Sequence, residues 1–200
     1  MEFLSPTTLL LSGCTGSGKT WWLKQLITER NHMFAVPPAR VIYCYGIYQN
    51  IFSQMKGVEF IEGLPKSFQN YCDNNHNLIV IDDLQHEANN SKEVEQLFTR
   101  GSHHKNLTVI FLNQNLFYKG SYARTIALNC HYMVLFKNPR ANSQIQSLKS
   151  QTGINNLLEA YKDATSNQYG YLVIDLHPAS NPIYRMRTNI FANEDSVIYS

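Results

Sequence analysis

The pattern of apolar and polar positions predicts short buried strands that alternate with helices. The runs 78–81 and 109–112 are apolar without interruption, which is typical of strands buried on both faces of a parallel sheet. This alternation favours an α/β fold with a mainly parallel central sheet and helices on both faces. The predicted strands are 7–12, 40–46, 58–62, 77–82, 107–113, 131–136, 169–175 and 183–188. The predicted helices are 19–30, 48–56, 65–72, 91–101, 121–128, 142–150 and 153–163.

The last two predicted strands differ from the others in how they are joined. A short segment with Pro178 and Pro182 connects them, which predicts an antiparallel C-terminal hairpin at the edge of the sheet. We find no internal repeat and no linker-like stretch. The sequence therefore predicts a single domain over residues 1–193, followed by a flexible tail over residues 194–200.

Between the first predicted strand and the first predicted helix lies a complete G-x-x-x-x-G-K-T motif. Its glycines allow backbone N–H groups to turn inward around phosphates, and the helix N-terminus favours negative charge. Lys19 is expected to reach the β- and γ-phosphates, and Thr20 to bind Mg²⁺. A glycine-rich surface turn is the alternative, but the strand–loop–helix context favours a nucleoside triphosphate site. The motif consists of Gly13, Cys14, Thr15, Gly16, Ser17, Gly18, Lys19 and Thr20.

Two carboxylates end the apolar strand 77–82. Asp82 is expected to hold Mg²⁺, and Asp83 to act as the general base on the attacking water. A strand that merely ends in a polar turn is the alternative, since aspartates are common in turns. Because a small-molecule kinase usually lacks the second acid, the pair favours ATP hydrolysis.

Two further polar residues are candidates for sensing and stabilising the γ-phosphate. Gln114 follows the strand 107–113 and is expected to bind the water or phosphate, with capping of the strand as the alternative. Arg100 ends a predicted helix, where a cation also complements the helix dipole. In ring-shaped ATPases, an arginine of this kind reaches the γ-phosphate of the neighbouring subunit. His103 and His104 are expected to lie in a solvated loop, since no further metal ligand lies nearby at suitable spacing.

Composition narrows the class of protein. The chain has 200 residues, 44% apolar and 16% charged, which suffices for a well-buried core. Its four cysteines form no C-x-x-C pair, so neither a zinc site nor a disulfide framework is predicted, and a reducing compartment is the default. We expect no membrane span, because no apolar run approaches about 20 residues. A net charge of +2 predicts no general basic surface.

Together these motifs resemble the FtsK–HerA superfamily of DNA-translocating ATPases. The sequence is most similar to genome-packaging ATPases of eukaryotic DNA viruses of the poxvirus-like, virophage, Polinton and adintovirus types. The resemblance extends from Leu9 to about Gln151, and segments 97–101, 110–116 and 128–140 are its most specific parts. It implies a RecA-like P-loop NTPase that binds ATP and Mg²⁺.

The resemblance also implies roles for individual residues. Lys19 and Thr20 would bind phosphate and Mg²⁺, and Asp82 would bind Mg²⁺. Asp83 would be the base and Gln114 the sensor. The trans arginine finger would be Arg100, with Arg124 and Arg140 as rival candidates.

The family further implies a homo-oligomeric ring, a pentamer or a hexamer, that pumps double-stranded DNA into a capsid. Such a motor grips phosphates without reading sequence. The loops 118–124 and 103–105 are candidates for DNA contact. A capsid or vertex protein would be a partner, and the setting an infected host cell, in the nucleus or a virus factory, or the virion. A small P-loop nucleotide kinase and a nucleotide-dependent assembly switch remain alternatives.

Overall fold

One nine-stranded sheet forms the centre of the computed structural model, which describes residues 1–101 and 105–200. The strand order is β3-β2-β4-β5-β1-β6-β7-β8-β9. All pairings from β3 to β6 are parallel, and those from β6 to β9 are antiparallel. The strands are β1 Thr8–Ser12, β2 Arg40–Tyr45, β3 Val58–Glu62, β4 Asn77–Asp82, β5 Leu107–Asn113, β6 Tyr132–Phe136, β7 Tyr171–Asp175, β8 Met186–Thr188 and β9 Val197–Tyr199.

Helices cover both faces of the sheet. They are α1 Lys19–Thr28, α2 Arg30–Met33, α3 Gln85–Asn89, α4 Lys92–Gln96, α5 Ala123–Leu128, α6 Asn142–Thr152 and α7 Leu157–Ala164. A π-helical turn, Leu97–Gly101, continues α4. Short 3₁₀ turns occupy Asn50–Gln54, Phe68–Tyr71 and Pro182–Tyr184.

The alternation of side chains along each strand divides the core into two layers. Leu10 of β1 packs in the layer that includes α5, α6 and α7, whereas Leu9 and Leu11 pack in the layer that includes α1. Because both layers are apolar, β1, β4 and β5 consist entirely of buried residues. The α/β fold, the parallel centre and the helices on both faces are confirmed.

The parallel order determines where the functional edge lies. β1 lies between β5 and β6, and β4 lies on the other side of β5. The carboxyl ends of β1, β4 and β5 therefore meet at one edge, where ligands bind in open α/β sheets.

The structure differs from the sequence predictions mainly in short segments. The predicted helices 48–56 and 65–72 contain only 3₁₀ turns, and α3 was not predicted. The predicted helix 153–163 begins only at Leu157, because Gly153 ends α6 in a left-handed conformation. Residues 182–184 form a turn with Pro182 at its first position, so β8 begins at Met186.

The C-terminal hairpin of β7 and β8 is antiparallel, as predicted. The structure adds β9 outside it, within the segment 194–200 where the sequence predicts a tail and no strand. β9 pairs with β8, and the Tyr199 hydroxyl donates a 2.7 Å hydrogen bond to Asp163 Oδ2. Three residues are too few for an alternating pattern to indicate a strand.

Candidate nucleotide-binding site

The phosphate loop, residues 13–20, connects β1 to α1 in a conformation that needs glycine. Gly16 and Gly18 have φ angles of 77° and 101°, which side chains disfavour. A Cβ atom at Gly13 would lie 2.6 Å from Phe136 Cβ and 2.7 Å from Ser17 Oγ. The loop is therefore packed directly against β6 at Gly13.

The Lys19 side chain folds back over the phosphate loop. Its Nζ donates hydrogen bonds to the carbonyl oxygens of Gly13 and Cys14, the latter at 3.0 Å. Burial lowers the pKa of Lys19, while the nearby Asp82 carboxylate acts to raise it. An anion beside Nζ would likewise favour the charged ammonium.

Asp82, at the end of β4, is buried and held by a residue of the neighbouring strand. The hydroxyl of Tyr43 on β2 donates a 2.7 Å hydrogen bond to Asp82 Oδ2. Burial raises the pKa of Asp82, whereas the Tyr43 hydrogen bond and the charge of Lys19 lower it. Tyr43 thus holds one oxygen of the Asp82 carboxylate in a fixed position.

Asp83 is exposed and occupies a tight turn. Its φ angle is 58°, a conformation that is uncommon for residues other than glycine. Gly46 N donates a 3.0 Å hydrogen bond to the Asp82 carbonyl, and a side chain at Gly46 would collide with the Asp83 carbonyl oxygen. The end of β2 therefore holds this turn in place, and Asp83 lines the cleft.

The end of β5 contributes Asn113 and Gln114. The Asn113 carbonyl accepts a 3.2 Å hydrogen bond from Gly13 N, which ties β5 to the phosphate loop. Gln114 N donates a 3.2 Å hydrogen bond to Gln85 Oε1, so α3 is linked to the predicted sensor. Within the described part of the chain, the buried atoms Asn113 Oδ1 and Ser17 Oγ have no hydrogen-bond partner. Unpaired buried polar atoms are costly, and both residues line the cleft that a ligand or water would enter.

These residues surround one cleft of about 670 Å³. It brings together the predicted Lys19, Thr20, Asp82, Asp83 and Gln114. Sequence reasoning missed further lining residues from the loop after β2, from α3 and from the turn before β7. They are Ile47, Gln49, Asn50, Ile51, Gln85 and Tyr169, joined by Tyr43 behind Asp82.

Only parts of this missed set carried a usable signal. In a parallel sheet, the loops after the strands beside β4 end at the same edge as Asp82. The loop after β2 could therefore have been expected to line the cleft. The position of Tyr169 depends on its left-handed φ of 64°, which a local pattern does not reveal.

The donor set fits a magnesium ion held together with phosphates. Thr20 and Asp82 line the same cleft and would supply a hydroxyl and a carboxylate oxygen. Among the described residues, no group of three or more His, Cys, Asp or Glu side chains could hold a metal. A hard cation that binds one or two protein ligands, substrate phosphates and water matches this set.

The candidate finger residues lie elsewhere. Arg100 is exposed on the π-helical turn, and Arg124 and Arg140 are also exposed. None of the three is among the described residues that line the cleft of their own chain. His103 and His104, predicted to lie in a solvated loop, fall outside the described residues.

Across residues 1–101 and 105–200, no helix is long and apolar enough to cross a membrane.

Known proteins with this fold include viral NTPases. The chain is similar to B204, the DNA-packaging ATPase from Sulfolobus turreted icosahedral virus, with 13% identity and a TM-score of 0.57 over 86% of this chain and 93% of that one. B204 from Sulfolobus turreted icosahedral virus 2, solved with ATP-gammaS, gives 14% identity and a TM-score of 0.57 over 85% and 92%. At this identity the likeness shows the fold alone.

No curated protein matches this chain in sequence. The model of the AAA domain family does match, over residues 5–137, which includes the phosphate loop, Asp82, Asp83 and Gln114. The chain therefore belongs to the AAA domain family and is a P-loop ATPase.

Proposed function

We propose that the protein hydrolyses ATP with Mg²⁺ and uses the energy to move double-stranded DNA into a viral capsid. The observation that carries the hydrolytic part is the convergence of Lys19, Thr20, Asp82, Asp83 and Gln114 in one cleft. A phosphate-binding loop, a metal carboxylate, an acid and an amide at one edge are the components of nucleotide hydrolysis.

Each residue has a defined task in this proposal. The backbone of the phosphate loop and Lys19 would bind the phosphates, and Lys19 would neutralise charge on the γ-phosphate. Mg²⁺ held by Thr20 and Asp82 would stabilise negative charge on the β- and γ-phosphate oxygens. Asp83 would orient a water molecule and accept its proton, because it lines the cleft and is exposed. Gln114 would bind that water or the γ-phosphate.

The packaging part of the proposal is supported by the structural likeness to B204, which is described as a DNA-packaging ATPase. It is also supported by the sequence resemblance to the FtsK–HerA superfamily. We infer a ring, pentameric or hexameric, that grips DNA phosphates without reading sequence and docks on a capsid or vertex protein. An infected cell, in the nucleus or a virus factory, or the virion would be its setting.

The direct test is the rate of phosphate release from ATP with and without duplex DNA, on protein sized by light scattering. We expect DNA of unrelated sequences to stimulate release, and the active species to be an oligomer. Phosphate transfer to a nucleoside by a monomer would instead identify a small kinase. ATP binding with slow turnover that DNA does not change would identify an assembly switch.

A subunit-mixing experiment tests the ring and Arg100 together. Arg100→Ala should bind ATP normally and hydrolyse it slowly, because the arginine would act on the neighbouring subunit. Mixing Arg100→Ala with Asp83→Asn subunits should restore some activity, since certain interfaces then pair an intact Asp83 with an intact Arg100. Arg124→Ala and Arg140→Ala serve as matched variants. Absence of rescue, with turnover linear in protein down to the monomer, would contradict the ring.

A further inference from the structure

We propose that an apolar groove beside the phosphate loop binds the nucleobase by stacking and accepts adenine and guanine almost equally. This inference rests on the proposed nucleotide hydrolysis and adds the base specificity of the same site. The base groove is a second cavity of about 690 Å³. It is lined by Gly18, Trp21, Trp22, Lys24, Gln25, Thr28, Tyr169, Tyr171, Phe191 and Glu194.

The base groove adjoins the cleft that would hold the phosphates. Gly18, Trp21 and Tyr169 line both cavities. A nucleotide whose phosphates occupy the loop at Gly18 would therefore have its base directed past Trp21 and Tyr169. The two cavities also differ in character, because the first contains Asp82, Asp83 and several amide side chains, whereas five of the ten residues that line the second are aromatic. That division matches a ligand with a charged end and a flat apolar end.

Two exposed aromatic side chains mark the boundary between the cavities. Trp21 is 62% exposed and Tyr169 is 57% exposed. Lys24 Nζ lies 4.7 Å from the centre of the Trp21 ring, a cation–π contact that restricts the ring. Exposed flat rings next to a phosphate site are the side chains on which nucleobases stack.

The backbone at Tyr169 supports a role in binding. Its φ of 64° is a strained conformation for a bulky residue. A Cβ atom at Gly18 would lie 3.2 Å from both Cβ and Cδ1 of Tyr169, so the tyrosine packs directly on the phosphate loop. Strain that the surrounding structure maintains is concentrated at binding sites.

The floor of the base groove is a fixed aromatic cluster. The buried Trp22 ring lies edge-on to Tyr171 at 5.9 Å and to Phe191 at 5.5 Å. Tyr171 is anchored by donating a 2.7 Å hydrogen bond to Glu194 Oε2. The groove is therefore preformed and costs little to organise when a base enters.

The polar side chains of the base groove explain why we expect it to discriminate little between adenine and guanine. Lys24 Nζ donates to Gln54 Oε1 at 2.6 Å, and Thr28 Oγ1 donates to the Lys24 carbonyl at 2.8 Å. Gln25 Nε2 donates to Glu29 Oε1 at 3.0 Å. These three side chains direct the donors named above to partners within the chain, so the groove offers mainly stacking area. Trp22 Nε1 has no hydrogen-bond partner among the described residues, but both purines carry ring nitrogens (N3 and N7) that could accept from it, so it does not select one purine. The larger purines should therefore bind more tightly than pyrimidines.

The test uses ligands that are not hydrolysed, with the full chain and Mg²⁺. We would measure dissociation constants by calorimetry for ADP, GDP, CDP and inorganic pyrophosphate. In the wild type, ADP and GDP should agree within about fivefold and CDP should bind more weakly. Trp21→Ala and Tyr169→Asn should weaken ADP and GDP by roughly 5- to 100-fold each, the range expected for loss of one stacked ring.

Pyrophosphate separates the base groove from the phosphate loop. Its affinity should stay within about twofold in both variants, because it has no base to stack. Trp21→Phe and Tyr169→Phe should keep most of the ADP affinity, and Tyr184→Ala, an exposed aromatic outside both cavities, should change nothing.

Three results would overturn the base groove while leaving the proposed hydrolysis intact. The first is unchanged ADP affinity in both variants, and the second is an equal loss of ADP and pyrophosphate affinity. The third is a wild type without the expected base preference, either because it strongly prefers one purine or because it binds CDP as tightly as ADP. A wild type that binds neither pyrophosphate nor ADP would instead overturn the proposed function, and the base groove with it.

Discussion

The amino and carboxyl ends of the parallel strands belong to one sheet, but their polar side chains differ in how far they are hydrogen-bonded to one another. At the amino ends, polar side chains of adjacent segments bind one another. His76 Nε2 and Thr108 Oγ1 are 2.7 Å apart, and Thr7 N donates to Thr108 Oγ1 at 3.2 Å. Thr7 Oγ1 in turn lies 2.9 Å from Nδ1 of His131. A hydrogen-bonded chain therefore links the segments that lead into β1, β4 and β6 to the start of β5.

At the carboxyl ends, buried polar side-chain atoms lack hydrogen-bond partners. Ser17 Oγ and Asn113 Oδ1 have no partner among the described residues. Asp83 has a positive φ angle there, as Asn106 does at the amino end. Asn77 Oδ1, at the amino end, also lacks a partner among the described residues, although its amide nitrogen donates to Tyr71 and Asp73. The comparison indicates that the polar groups of the amino edge stabilise the fold, whereas those of the carboxyl edge are arranged for a ligand.

The largest expected effect comes from Lys19→Ala at the carboxyl edge. Its hydrogen-bond partners are loop carbonyls, so the fold should be retained. Without the ammonium, ATP turnover should fall by roughly 100-fold or more, since charge on the γ-phosphate is no longer neutralised. Phosphate release and circular dichroism would measure the two properties, with exposed Lys162→Ala as the control. A folded Lys19→Ala protein with wild-type activity would exclude this loop as the phosphate site.

Asp83→Asn should separate binding from chemistry at the same edge. Asp82 and Thr20 remain, so Mg-ATP should bind normally, whereas hydrolysis should fall by roughly 10²- to 10⁴-fold with the loss of a general base. Glu87→Gln is the matched control, because Glu87 is exposed and nearby on α3 but does not line the cleft. If Glu87→Gln is the inactive variant and Asp83→Asn is active, the base has been assigned to the wrong acid.

Tyr43→Phe should have a smaller effect, which is a weaker affinity for Mg²⁺. Loss of the hydrogen bond to Asp82 Oδ2 frees the carboxylate to rotate. Loss of a partner that orients a metal ligand typically costs about 10- to 100-fold in metal affinity. The Mg²⁺ concentration for half-maximal hydrolysis should therefore rise, while the rate at saturating Mg²⁺ recovers. Tyr45→Phe on the same strand is the control, and an unchanged Mg²⁺ requirement would show that Tyr43 does not position Asp82.

The smallest expected effect belongs to the amino edge and concerns stability alone. Burial lowers the pKa of His76, which is only 3% exposed. As pH falls below the ordinary histidine value of about 6.5, the unfolded chain binds this proton before the folded chain does, so stability decreases. His76→Gln should flatten this dependence in urea unfolding between about pH 7 and 5, while exposed His86→Gln should not. If the stability of the wild type, His76→Gln and His86→Gln depends on pH to the same extent, the role of His76 is contradicted.

The sequence predicted those parts of the molecule that depend on local pattern. The strands around residues 78–81 and 109–112 are uninterrupted apolar runs, and the phosphate loop has a fixed spacing between its glycines and Lys19. Because parallel strands end at a common edge, Asp82, Asp83 and Gln114 could be expected to meet there, and they do.

The missed parts depend on contacts between distant segments. Tyr43 reaches Asp82 only because β2 pairs with β4, and Tyr169 reaches Gly18 only through a left-handed turn before β7. β9 is too short to show a period and is held by β8 and by Asp163. Such contacts are decided by tertiary packing, which a local pattern does not contain.

Amide hydrogen exchange with and without a non-hydrolysable ATP analogue and Mg²⁺ tests the contrast between the two edges most directly. The account predicts strong added protection in the phosphate loop and at residues 82–83 and 113–114, and little change at residues 76–77 and 107–108. Added protection at the amino edge instead, or none at the phosphate loop under saturating analogue, would contradict the assignment of the carboxyl edge as the nucleotide site.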